Sequence, residues 1–213
     1  MILESVKTAL NNEIQLIGTS AQAQGAALIV GVVHGDEPQG EFLINEYLKT
    51  HSDFSKNLLF IPCLNPDGMK LNTRTNSNGV DINRNFPTKN WEKSELTLEN
   101  GEINRYFGGF SPASEVETKF IIKIIEKYKP SLIITLHTPF KVVNFDGPAK
   151  KIAEKIAQIW NYPVESSIGY PTPGSFGTWA GIERNIPILT IEMDEEIPQE
   201  YLVHPFEEMV KMF

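Results

Sequence analysis

The stretch Ala26-Ala27-Leu28-Ile29-Val30-Gly31-Val32-Val33-His34-Gly35-Asp36-Glu37 decides how this chain is read. Ala26 to Val33 form a short, continuous run rich in Val, Ile and Leu, as a strand buried on both faces does, and the run gives way at once to side chains able to bind a metal. Similar runs follow at Leu58 to Leu64, Leu132 to Leu136 and Ile186 to Ile191. Helical patterns separate them, roughly at Pro38 to Thr50, Ser114 to Tyr128, Pro148 to Trp160 and Pro198 to Phe213, with Ser114 and Glu117 spaced as a capping box. Strands alternating with helices predict an α/β fold, a layered mixed and mostly parallel sheet flanked by helices. Nothing between the elements reads as a linker, so one domain is expected over residues 1–213.

Composition narrows the function. With 213 residues, 41% of them hydrophobic, the chain can bury one sizeable core. A formal net charge of -8, without a cluster of Lys and Arg, speaks against nucleic acid or an anionic membrane as partner. The first residues lack the basic and apolar regions of a signal peptide, and no apolar run approaches the ~18 residues of a membrane helix, so a cytoplasmic protein is expected. Cys63 has no second cysteine to pair with, and its place in an apolar run favours a small buried hydrophobe.

Two stretches are irregular: Asn65 to Pro112, rich in Asn, Gly, Pro, Thr and Arg, and Ser166 to Gly181. Long irregular stretches inside a compact domain are more often functional than accidental. In open α/β sheets, ligands bind beyond the carboxyl ends of the strands, and His34, Asn65, His137 and Glu192 each follow one of the apolar runs. Four polar residues are therefore expected to converge on one site.

His34 and Glu37, three apart, can share one face of a tight turn and reach one metal ion. Taken alone they fit equally a helix N-terminus whose dipole favours Asp36 and Glu37, and His137 alone fits a hydrogen-bonded core histidine. The joint occurrence favours the metal. Two histidines and one glutamate leave a tetrahedral position open, which marks a catalytic rather than a structural zinc site. Glu192, at the mouth of the last run, is placed to exchange protons there, although Asp194, Glu195 and Glu196 next to it also suit an acidic surface turn. Arg74 and Arg84, within the longest irregular stretch of an acidic chain, suit an oxyanion or a carboxylate. His51 and His204 have no comparable setting and read as surface residues.

At these residues the sequence resembles the M14 family of zinc carboxypeptidases: His34-Gly-Asp-Glu37, Asn65-Pro-Asp-Gly68, Gly79-Val-Asp-Ile-Asn-Arg-Asn-Phe86, Leu136-His-Thr138 and Thr190-Ile-Glu192 occur in family order. Within it, Phe145-Asp-Gly-Pro-Ala149 and the segment Ile168 to Ala180 resemble the murein peptide amidases. The resemblance implies a zinc carboxypeptidase-like fold and one Zn²⁺ per chain, held by His34, Glu37 and His137, with Glu192 as general base and acid. It implies Arg74 for the oxyanion, Asn83 and Arg84 for the terminal carboxylate of a small peptide, and Tyr170 as a mobile tyrosine closing over it. It further implies cleavage of the γ-D-glutamyl-meso-diaminopimelate bond in peptidoglycan recycling. The Pro-Thr-Pro wording after Tyr170 departs from the digestive enzymes, which sets that tyrosine's role apart from theirs.

Two rival readings stand beside it. One is an N-acyl amino acid amidohydrolase of the aspartoacylase and succinylglutamate desuccinylase kind, against which Asn65-Pro-Asp-Gly68 speaks. The other is a non-catalytic sensor of cell-wall peptides, which would have no need of Glu192.

Overall fold

The computed structural model describes residues 1–19, 23–51, 57–167 and 169–213. Among the described residues eight strands form one sheet: β1 (Ile2–Lys7), β2 (Glu13–Gly18), β3 (Ala27–Val30), β4 (Leu58–Ile61), β5 (Leu132–His137), β6 (Val142–Asp146), β7 (Val164–Glu165) and β8 (Ile188–Glu192). Their spatial order is β1-β2-β4-β3-β5-β8-β6-β7. The four expected strands are the central ones, β4, β3, β5 and β8, and they pair in parallel. β1 and β2 pair antiparallel on one flank, and β6 runs antiparallel to β8 on the other. These flanking strands were not anticipated, because β1, β2 and β6 mix polar with apolar residues and are only partly buried.

The helices are α1 (Gln39–Thr50), α2 (Pro66–Leu71), α3 (Val116–Tyr128), α4 (Lys150–Trp160) and α5 (Val203–Val210). Because side chains alternate along a strand, Ile29, Phe60, Ile134 and Leu189 pack under α1, α4 and α5, while Leu28, Leu59, Ile133 and Ile188 pack under α3. Both sheet faces are thus covered, which is why the central strands read as unbroken apolar runs. Among the described residues no helix is long and apolar enough to cross a membrane. Cys63 is free and buried, and burial pushes its thiol well above the usual range.

Two expectations require correction. The Ser114/Glu117 capping box does not form: α3 starts at Val116 with Glu115 in the cap position, the Ser114 hydroxyl donates to Glu115 Oε1 at 2.6 Å, and Glu117 is buried. The stretch Asn65 to Pro112 is not wholly irregular either, since it holds α2 and a 3-10 turn at Ile82–Arg84. Both are too short to leave an apolar period in the sequence.

Candidate active site

The chain arrives at His34 from β3 under tight constraint. Val32 adopts a left-handed backbone (φ 49°), an outlier for a β-branched residue, and it turns the segment out of the sheet. A side chain at Gly35 would place its Cβ 2.0 Å from the Gly68 carbonyl carbon, so the His34–Glu37 turn lies directly on α2. Asn65 serves this arrangement rather than the chemistry. Its Oδ1 accepts from Gly68 N at 2.9 Å and caps α2, and its Nδ2 donates to the carbonyls of Val33 and Arg74, both at 3.4 Å.

The three residues expected to bind a metal do meet. His34 Nδ1 lies 2.8 Å from Glu37 Oε1, His137 Nδ1 lies 2.8 Å from Glu37 Oε2, and the two ring nitrogens are 3.1 Å apart. All three residues are buried. Acceptors converging this closely require positive charge among them. A proton is one solution: burial pushes His34 down, but the Glu37 and Asp81 carboxylates outweigh it and raise its pKa to about 9. A divalent cation is the other, and it would displace that proton. The donor set, two imidazole nitrogens and a carboxylate with separations close to the ~3 Å edges of a zinc coordination sphere, suits zinc.

Asp81 orders the surroundings. Its Oδ2 accepts from Arg74 Nε at 3.0 Å, its Oδ1 accepts from Asn83 N at 2.9 Å, and Oδ1 also faces His34 Nε2 at 3.4 Å. That last distance is long for a hydrogen bond but suits an orienting carboxylate behind a ligand imidazole. Burial would raise the Asp81 carboxyl, yet Arg74 and His34 hold it well below its usual range. Asp81 drew no role from the sequence, although it lies within the Gly79 to Phe86 segment that carries the family resemblance.

Glu192 stands directly across from His137 in the parallel β5–β8 register. Its Oε2 is buried without a hydrogen-bond partner. Burial, followed by the charge of Glu37, raises its pKa to about 8. Arg74 is mostly buried, with Nη1 3.7 Å from Glu37 Oε1. Tyr170 is part of the wall of three adjoining cavities: one with Glu37 and Arg74, one with Asn83 and Glu192, and one with Arg84. Asn83 and Arg84 thus face different cavities across Tyr170, and Asn83 Oδ1 is occupied by Phe176 N at 2.9 Å. Arg84 and Arg74 both lie over the ring of Tyr106, at 5.7 and 5.2 Å, a contact for which the sequence held no signal. His51 stacks on Tyr47 and His204 is exposed; neither joins the site.

The zinc carboxypeptidase family pattern matches residues 4–147, which contain the whole triad and both arginines. The chain belongs to the zinc carboxypeptidase family. This family member is 32% identical over 191 residues to murein peptide amidase A of Escherichia coli strain K12, covering 85% of this chain and 78% of that one. It is 30% identical to the protein of that name from Vibrio campbellii, covering 88% and 77%. The crystal structure of murein-tripeptide amidase MpaA from Escherichia coli O157 superposes with a TM-score of 0.84 at 28% identity, covering 97% of this chain and 88% of that one. Carboxypeptidase A from Helicoverpa armigera shares the fold at a TM-score of 0.73 and 17% identity, covering 99% and 66%.

Proposed function

We propose that the chain is a zinc-dependent murein peptide amidase, one catalytic unit over residues 1–213, that hydrolyses the γ-D-glutamyl-meso-diaminopimelate bond of small peptides in the recycling of peptidoglycan. The observation that carries this reading is an unpartnered buried carboxylate oxygen, Glu192 Oε2, beside a converging His34–Glu37–His137 triad. Similarity to the murein peptide amidases over most of both chains supports the substrate.

His34, Glu37 and His137 would hold one zinc ion per chain. Bound there, zinc supplies a Lewis acid for water and for the amide carbonyl, and its charge draws the Glu192 carboxyl toward ionisation. Glu192 takes a proton from the attacking water and hands it to the leaving amine, a general-base and general-acid role that suits a raised pKa. Arg74, held by Asp81 and lying beside Glu37, contributes its permanent charge to the oxyanion. Asn83 and Arg84 grip the terminal carboxylate, and Tyr170, bordering all three cavities, closes over the substrate. An enzyme of this design releases a single terminal residue.

The test is incubation of the zinc-loaded protein with L-alanyl-γ-D-glutamyl-meso-diaminopimelate and mass identification of the products. Release of free diaminopimelate is expected. Hydrolysis of an N-acetylated amino acid with the tripeptide left intact would replace this reading with the amidohydrolase one.

A further inference from the structure

Two guanidinium groups of the site share one aromatic ring. The Cζ of Arg74 lies 5.2 Å from the centroid of the Tyr106 ring, and the Cζ of Arg84 lies 5.7 Å from it. Both fall within the ~6 Å over which a cation is drawn to the negative face of a ring. Arg105 stands over the same ring at 6.0 Å, but its side chain is exposed and pairs with Asp36, so it gains less. Tyr106 borders the cavity that holds Glu37 and Arg74, of about 380 Å³, and also the one that holds Arg84, of about 460 Å³.

The two arginines differ in what else holds them. Arg74 has Asp81 at 3.0 Å and Glu37 at 3.7 Å. Arg84 is 6% exposed, has no carboxylate within ion-pair distance among the described residues, and donates from Nη1 to the Asn83 carbonyl at 2.7 Å. A buried cation without a counter-charge is costly, and the face of a ring offsets part of that cost. A carboxylate in the same place would neutralise Arg84 and leave little for a substrate anion, whereas a ring holds the guanidinium and keeps its charge available. The backbone fixes the ring in turn. Tyr106 N donates to Asn104 Oδ1 at 3.0 Å, and the Phe107 carbonyl accepts from Asp81 N at 2.8 Å, which ties the ring to the aspartate that orients Arg74. The Tyr106 hydroxyl has no hydrogen-bond partner among the described residues, so the site takes from this residue its ring.

We infer that Tyr106 is a positioning residue whose ring holds the Arg74 and Arg84 guanidinium groups ready for the oxyanion and for the terminal carboxylate of the substrate without neutralising either. The inference rests on the reading of these two arginines as the anion-binding groups of a peptidase. Removing the ring should disturb two steps at once. Arg74 would lose part of its support in the transition state, and Arg84 would lose the attraction that sets it toward the bound substrate.

The test compares zinc-loaded wild type, Tyr106→Phe and Tyr106→Leu on a γ-D-glutamyl peptide with a free terminal carboxylate and on its terminal amide; Tyr106→Met replaces the leucine variant if that one does not fold. Tyr106→Leu should lower kcat about 3- to 30-fold on both substrates, through Arg74, and raise KM by a similar factor on the free acid alone, through Arg84. Tyr106→Phe keeps the ring and should recover activity to within about threefold of wild type. Calorimetric binding of succinate to the same proteins forms a second arm independent of turnover, and it should weaken about 3- to 30-fold in Tyr106→Leu but not in Tyr106→Phe. If no peptide is cleaved but succinate binding depends on the ring in this way, the assignment stands and the peptidase reading falls. Equal losses in the phenylalanine and leucine variants, a KM that rises alike on both substrates, or succinate binding that is absent from wild type or the same in all three proteins overturns the assignment.

Discussion

Glu117 provides a measurement of the buried electrostatics that is independent of metal. It lies on α3, 1% exposed, beside Asn76. The nearby amides serve its neighbour better: Glu115 Oε2 accepts from Asn76 and Asn78 at 2.8 Å each, whereas Glu117 Oε2 has only Asn76 at 3.4 Å. Burial first, and then the charge of Glu115, push Glu117 from 4.5 to about 7. Below 4.5 the carboxyl is neutral whether the chain is folded or unfolded and costs nothing. Between 4.5 and about 7 the unfolded chain ionises while the folded chain keeps the proton, so stability falls as pH rises, and above about 7 the full cost persists. At about 1.4 kcal/mol per pKa unit, that cost is on the order of 3 kcal/mol. Glu117→Gln has nothing to ionise and should avoid it. Urea unfolding at pH 4, 6 and 8.5 should therefore find the two proteins closest at pH 4 and the variant more stable by up to about 3 kcal/mol at pH 8.5. A difference that does not change with pH, or a variant that is the weaker protein at pH 8.5, would refute the argument. The ligand triad titrates alike in both proteins and cancels from the comparison.

Further outcomes follow for the site itself. Zinc at a hundred times its Kd should raise Tm by about 5–10 °C, with a stoichiometry of about one by metal analysis; His34→Ala should abolish the shift. Glu192→Gln should keep its zinc yet lose about 10²- to 10⁴-fold in kcat, and unchanged turnover would assign the proton transfers elsewhere. Arg84→Ala should lower kcat/KM tens- to thousands-fold on a free-acid substrate but little on its terminal amide, and equal losses on both would make Arg84 a structural residue. Gly35→Ala alters no ligand but forces a methyl group against the Gly68 backbone, so zinc affinity, followed by competition with a chelator, should fall at least tenfold.

The sequence made the centre of this molecule legible and left its margins obscure. β3, β4, β5 and β8 were readable because strands covered on both faces are built mostly of apolar residues, and the same burial made His34, His137 and Glu192 stand out at their ends. β1, β2 and β6 escaped because strands covered on fewer sides carry a mixed pattern. The role of Asp81 escaped for a different reason. An aspartate in a loop is ordinary in a sequence even inside a recognisable segment, and its neighbours in space, Arg74 and His34, show what it does. Asn65 was the opposite case, a strand-end polar residue whose hydrogen bonds bind it to the local backbone instead of the cleft.

His137 and Glu192 sit side by side on hydrogen-bonded strands in the middle of the sheet, whereas Arg74, Asn83 and Tyr170 stand on segments outside it. Central strands open only with the whole fold, while loops open at far smaller free energies. Heat should therefore act on the two halves of the site in sequence. Well below the melting temperature the grip on substrate slackens while the spacing between His137 and Glu192 stays as it was. An activity curve recorded against temperature would then show KM climbing first, with kcat holding until the sheet itself gives way.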